Sequence, residues 1–310
     1  MVENLGRPIN VPADKRSKFK ALTETPSFAI PTLVLAMTLV PAVLCLDVLV
    51  LLGRFPLVWA VIFNTIFYYF FFSVIHDGIH RGLCKNQKLN DWISQFTVTV
   101  FAPFAAVPLF RWAHMEHHRF TNDDRDPDSW SHGAWWTLPF RWMVIDLGYG
   151  LRALSTKTPL AKKAVKQTLP FMVTGFIAIF LACFAGYGLE VLMLWFIPSR
   201  LAFVGIGFSF FWLPHAHWPD QKVELRQSKN FTIATTIRLG KEWILNPILQ
   251  YQNYHLIHHL WPTTPFYNNA KVWNLLEPEL RQRDLAVVEN FSLKPVYEYA
   301  NQDLTGASNA

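Results

Sequence analysis

Residues 57–80 read LVWAVIFNTIFYYFFFSVIHDGIH. No charged side chain interrupts the run from Leu57 to Ile75, and a bilayer core takes roughly 20 apolar residues per helix. The run reads as a membrane span. It feeds directly into His76-Asp77-Gly78-Ile79-His80, which places two imidazoles four residues apart. On a helix, four apart is the same face, so both rings leave the end of the span together.

Working outward, the apolar stretch at 27–52 precedes this span across the short turn Gly53-Arg54-Phe55-Pro56. Two further runs, 169–187 and 191–213, meet at Gly186-Tyr187-Gly188, with Arg200 awkwardly inside the second. Short connections make these two helical hairpins. The apolar segment 95–110 is short and carries Pro103 and Pro108, so a re-entrant or interfacial segment is expected there rather than a fifth span. The fold class that follows is an all-α membrane protein. It has four transmembrane helices in two hairpins, interfacial helices and a cytoplasmic helical cap holding a di-metal site. The expected division is an N-terminal segment 1–26, a single membrane domain 27–293 and a frayed tail 294–310. The first apolar run starts too late and is too long for a signal peptide.

Composition agrees. Of 310 residues, 52% are hydrophobic and only 16% charged, against about a quarter charged in a soluble domain. That excludes a disordered chain. Three cysteines without a CxxC pair exclude a disulfide scaffold, a zinc ribbon and an iron–sulfur module. The mean hydropathy of +0.18 is modest, so large polar segments accompany the spans. Five Lys/Arg precede the first span, twelve lie between Arg81 and Lys166, and nine follow from Lys222. These 26 of the 28 fall on one side of a four-span layout, which the positive-inside rule assigns to the cytoplasm. Both termini and the metal site are expected there, in a multi-pass protein of a bacterial inner membrane. No nucleic-acid partner is expected.

Eleven histidines are present, and ten are clustered. His76 and His80 lie in HDGIH; His114, His117 and His118 in HMEHH; His255, His258 and His259 in HLIHH. His215 and His217 flank the exit of the last span, and His132 stands alone as a surface residue. One histidine at a span end is ordinarily an interfacial or capping residue. Three boxes at helical spacing, all on one predicted side, are not explained that way. Neutral imidazole suits iron, zinc, copper or nickel. Eight box histidines plus one of the exit pair, His215 being nearer the span, exceed one tetrahedral zinc. Two metals taking four or five nitrogens each fit the count.

HDGIH, HMEHH and HLIHH together resemble the three histidine boxes of the membrane fatty acid desaturase and hydroxylase superfamily, over roughly residues 73–278. HHRFTNDDRDPDSW and QNYHLIHHLWPTTPFYN are most similar to the branch containing the carotene ring hydroxylases. The resemblance implies a non-haem di-iron centre that uses O2 and two electrons on an unactivated C–H bond. Its implied ligands are His76, His80, His114, His117, His118, His255, His258 and His259, with His215 or His217 as the ninth. The first box is HxxxH rather than the HxxxxH of many acyl-chain enzymes, so their regioselectivity is not carried over.

Around the boxes, ligating histidines pass their second N–H to a carboxylate or carbonyl. Asp77, Asp128 and Glu116 are candidates for that role, and Asn253 for orienting a water or ligand. Asp123 and Asp124 read better as a solvated turn. Tryptophans such as Trp112, Trp130 and Trp261 suit the headgroup interface, and aromatics such as Phe72, Phe210 and Phe211 could line a substrate tunnel. The expected substrate is a bilayer lipid, an acyl chain first and a carotenoid second. No electron-transfer module is visible in the sequence. A separate donor, a ferredoxin or similar with its reductase, is expected to meet the basic face bearing Arg81, Lys85, Lys88, Lys162, Lys163 and Lys166. The rival from another class is a histidine-rich metal transporter, which would put ionisable groups at mid-membrane depth. HExxH is absent, which disfavours a zinc metalloprotease of that type.

Overall fold

The computed structural model describes residues 9–215 and 231–300. The chain divides into two compact units, interleaved in sequence. The larger comprises Thr25–Arg119 and Arg125–Phe211; the smaller takes Met1–Glu24, Phe120–Asp124 and Trp212–Ala310.

In the larger unit, three helical runs are long and apolar enough to cross a membrane: Ile30–Leu51, Leu57–Ile79 and Pro159–Trp212. Leu57–Ile79 is central, packing against both Ile30–Leu51 and Ile197–Ile206. It continues past Ile75 through the whole of the first box, and His80 is its C-cap. The two box histidines therefore belong to the last turn of the span.

The 54-residue run is not one straight rod. Gly186 has φ 94° and ψ 2° within it, a left-handed conformation that glycine adopts without steric cost. The break anticipated between two spans falls at that residue. The run begins earlier than its hydropathy suggests, at Pro159 rather than residue 169. Thr158 caps the start, its Oγ1 accepting from Ala161 N at 3.3 Å, and Pro159 follows at the first helical position. Proline is pre-organised there and loses no hydrogen bond. Lys162, Lys163 and Lys166 are thus helical and exposed.

Arg200 is buried within this run, and its guanidinium grips Asp146 through two bonds of 2.9 and 2.8 Å. Met143 O accepts a third at 3.0 Å, and the Phe203 ring lies 4.7 Å beneath the cation. A charge that looked misplaced in the apolar sequence is fully partnered.

The proline-bearing segment resolves into two helices, Gln87–Phe101 and Val107–Phe120. The break between them is pinned on two sides. Trp195 Nε1 donates to Phe101 O at 2.9 Å, and Gly175 lets Pro103 approach so closely that any Cβ there would collide with its carbonyl. Aromatic rings fill the core beside it, with Phe101 5.4 Å from Tyr68 and 4.5 Å from Phe203.

The smaller unit corrects the all-helical expectation. It contains a three-stranded sheet, β1 (Ile237–Leu239), β2 (Leu285–Glu289) and β3 (Val296–Glu298), in the order β1-β2-β3. β1 runs parallel to β2 with Ile237 opposite Val287, and β2 runs antiparallel to β3 with Val287 opposite Val296. Leu285-Ala286-Val287-Val288 is a buried run rich in β-branched residues, too short for a helix and suited to a covered strand. The segment after Leu293 supplies β3. Helices His255–Leu260 and Asn269–Leu280 pack together, with Leu256, Ile257, Leu276 and Leu285 forming the core of this unit.

Candidate metal centre

Helix geometry places the first two boxes. His76 and His80 leave one face of Leu57–Ile79, and His114 leaves helix Val107–Phe120. The His114 ring centroid is 4.8 Å from each of the other two. Each of the three offers a ring nitrogen within 4.8 Å of the others. His118, one turn beyond His114, has its Nε2 3.2 Å from His114 Nε2. Burial holds the His80 and His114 imidazoles well below the usual histidine range, and neighbouring imidazoles push them further down. Both are therefore neutral at physiological pH and have a lone pair to give.

The register of these helices is clamped. Arg111 Nε donates to Ile79 O and Nη2 to Gly78 O, both at 2.9 Å, and the same guanidinium pairs with Asp91. Asn90 Nδ2 adds a bond to Gly78 O at 2.9 Å. The last carbonyls of a helix lack partners within it. Here the second-box helix and its neighbour supply them, locking His76 and His80 against His114. Gly78 lacks a Cβ because Ser94 occupies the space.

His117 points to a different set of partners. Its Nδ1 lies 3.0 Å from both carboxylate oxygens of Asp126 and 3.4 Å from Asp128 Oδ2. Burial alone would lower this imidazole, but the two carboxylates override it and hold it at about 9. The electrostatics that favour a proton on His117 Nε2 equally favour a metal cation there.

In the smaller unit, His215 Nε2 is 2.8 Å from His255 Nε2, and His259 Nε2 is 3.1 Å from the same atom. His255 Nδ1 faces Gln252 Oε1 at 2.9 Å and His215 Nδ1 faces Ala234 O at 3.3 Å. Donation of both Nδ1–H groups to these oxygens leaves two Nε2 lone pairs facing each other, which is repulsive unless a cation lies between them. Metal–nitrogen bonds of about 2.1 Å put ligand nitrogens held at right angles about 3 Å apart, close to the spacing here. The donor set fits a metal. His258 is buried beside this trio, its ring 5.4 Å from that of His255.

Among the other sequence candidates, Asp77 is buried and accepts from Thr32 Oγ1 at 2.8 Å, tying the first span to the first box. Asn253 donates to Asn246 Oδ1 at 3.0 Å and to Arg238 O in β1 at 3.4 Å. Glu116 lies 3.8 Å from Arg119. His132 is half-buried, and His217 lies outside the described residues. Asp126, Gln252 and Arg111 were not singled out from sequence. Asp126 did leave a signal, because Asp-Pro is a helix-start pair. Its Oδ1 accepts from Asp128 N at 2.8 Å and caps the 3₁₀ turn Pro127–Ser131.

Beside the first-box histidines, the larger unit forms a small, partly open apolar cavity of about 50 Å³. Phe72, Ile75, Ile79, Phe101, Phe110, Ile145, Phe203, Ile206 and Phe211 line it, together with His76, His114 and Tyr149. Phe72 stacks on the His76 ring at 5.0 Å and on Phe210 at 3.8 Å.

Apolar spans, three histidine boxes and clusters able to hold metal define a membrane oxidoreductase of the desaturase and hydroxylase type. The chain belongs to the fatty acid desaturase family, matching it over residues 17–291. Among its relatives, beta-carotene ketolases from two Paracoccus strains are 26% and 27% identical over 199 residues, covering 63% of this chain and 70% of each ketolase. The omega-3 fatty acid desaturase fat-1 of Caenorhabditis elegans is 38% identical over 89 residues, 28% of this chain and 20% of that protein.

Proposed function

We propose that this protein is an O2-dependent lipid oxidoreductase, acting first on an acyl chain. Its nine histidines His76, His80, His114, His117, His118, His215, His255, His258 and His259 would hold two iron ions. The observation that carries this reading is the apolar cavity with His76 and His114 in its wall. The cavity is about 50 Å³, so only a short stretch of a chain would sit there, dehydrated beside metal ligands. Iron held by these residues would supply the O2 activation needed to break an unactivated C–H bond. Desaturation then balances as one CH2–CH2 unit, O2, two electrons and two protons giving CH=CH and two waters; hydroxylation uses the same inputs and gives an alcohol and one water.

The chain's own residues would supply placement and dryness. Phe101, Phe110 and Phe203 would exclude water from the chain. Arg111 fixes the box helices against each other, and Asp126 and Gln252 orient His117 and His255 so that Nε2 would face a bound metal. Carotene oxidation is a second reading, favoured by the length over which the ketolases match.

The topology in this proposal has four spans, the run Pro159–Trp212 counting as two across Gly186. The termini and the metal site are on the cytoplasmic face of a bacterial inner membrane. The sidedness of lysine and arginine supports it. Electrons would come from a separate acidic carrier, a ferredoxin or similar with its reductase, attracted to Arg81, Lys85 and Lys88, all exposed.

The deciding experiment is expression in a host supplied with either beta-carotene or defined acyl chains, with mass spectrometry of extracted lipids and iron analysis of the purified protein. A new acyl alkene with iron bound supports the first reading; an oxygenated carotene supports the second. An iron-free protein active on neither would overturn both.

A further inference from the structure

We propose that Tyr149 is a positioning residue that ties the wall of the apolar cavity to His117 through Asp128. This rests on the metal-binding reading above and adds a residue that neither the sequence motifs nor the comparisons mark. Tyr149 lies on helix Ile145–Ser155, remote in sequence from every histidine box. Its ring forms part of the cavity wall, edge-on to Phe110 and Phe211, each 6.2 Å away.

The other end of the same side chain is polar and buried. Tyr149 Oη donates to Asp128 Oδ1 at 2.5 Å. Asp128 Oδ2 faces His117 Nδ1 at 3.4 Å, and the Asp128 amide donates to Asp126 Oδ1 at 2.8 Å. Tyr149, Asp128, Asp126 and His117 are all buried, so this is a closed chain of contacts with little solvent to relax it. A buried carboxylate needs its hydrogen bonds filled. Without the phenol, Asp128 has reason to turn towards another donor and pull on Asp126 and His117.

The geometry also gives the chain a direction. A bulky occupant that displaces the Tyr149 ring must move its hydroxyl, and with it the carboxylate beside His117. Cavity shape and ligand orientation thus share one rigid side chain.

The test is iron retention in detergent-purified holoprotein, read by chelator competition. Tyr149→Phe keeps the ring and removes only the hydroxyl. Loss of an outer partner of a metal ligand typically weakens metal binding about 10–100-fold, and that loss is expected here. In a His117→Ala background, adding Tyr149→Phe should change iron retention less than twofold, because the path it acts through is gone. A merely structural role would cost the same in both backgrounds. Equal iron retention by wild type and Tyr149→Phe, or an equal loss in both backgrounds, overturns this proposal and leaves the metal reading standing. A wild-type protein that binds no iron overturns both.

Discussion

Asp126 holds His117 from both of its carboxylate oxygens, each 3.0 Å from Nδ1. A bidentate acceptor fixes the plane of an imidazole as well as its tautomer, so His117 presents Nε2 in one direction. Because Asp126 also caps the following 3₁₀ turn, its own rotamer is held by the backbone. The ligand's orientation is thus written into a turn.

Asp126→Ala should therefore act on metal before it acts on fold. Losing such a partner costs roughly 10–100-fold in metal affinity. Iron content after chelator challenge should fall by that factor. Asp126→Asn, which keeps an oxygen but no charge, should fall in between. Iron retention equal to wild type in Asp126→Ala would remove Asp126 from the site.

Arg111 offers a second check, on the clamp rather than the ligands. Its fork reaches two successive carbonyls and a carboxylate at once, a geometry that a lysine ammonium cannot copy. Arg111→Met should cost about 1–3 kcal/mol of stability through the orphaned Ile79 carbonyl and lower iron occupancy as His76 and His80 loosen. Arg111→Lys should recover only part of both. Thermal melting and iron analysis of the same samples would read the two effects.

Much of this centre could be read in the sequence because its signals are local. HxxxH and HxxHH fix a shared face by helical period alone, and a run of apolar residues fixes a span by length. What could not be read depends on distant partners. The pairing of Arg200 with Asp146 joins residues far apart in the chain. The preference of His117 for Asp126 over Asp128 depends on how one 3₁₀ turn is wound. β1 pairs with β2 across the last box, and a three-residue strand leaves almost no periodic trace. Helix Pro159–Ala182 was legible at its apolar end only; half of its first ten residues are polar, and the cap at Thr158 is the signal that marks them.

Arg200 makes a stability prediction. The pair is buried and bidentate, so Arg200→Leu leaves Asp146 as an uncompensated buried charge. Breaking one side of such a pair costs about 3–5 kcal/mol. Arg200→Leu should yield little folded protein. Arg200→Leu combined with Asp146→Leu should recover most of it, since apolar replacements of both partners are often neutral. Recovery of monodisperse protein by size-exclusion chromatography would read this; a double variant no better than the single one would show that the pair does more than neutralise itself.

Gly78 supplies the sharpest steric test, because it lies between the two histidines of the first box. A Cβ at this position would overlap the Ser94 side chain. Ser94 is in turn held by its own bond to Asn90 O at 2.7 Å, and Asn90 also binds Gly78 O. The obstruction is thus a short side chain locked to its helix, with no long flexible arm that could swing aside. Gly78→Ala must push helix Gln87–Phe101 away from Leu57–Ile79, and with it Asn90 and the Asp91 that steadies Arg111. Overpacking of this kind costs about 1–3 kcal/mol, and the displacement falls directly on His76 and His80, so iron occupancy should drop together with melting temperature. Adding Ser94→Gly removes the obstructing atoms and should restore both. If the double variant regains stability but not iron, the glycine serves the ligand geometry in a way beyond simple clearance; if Gly78→Ala alone behaves as wild type, the close packing of these two helices is wrong.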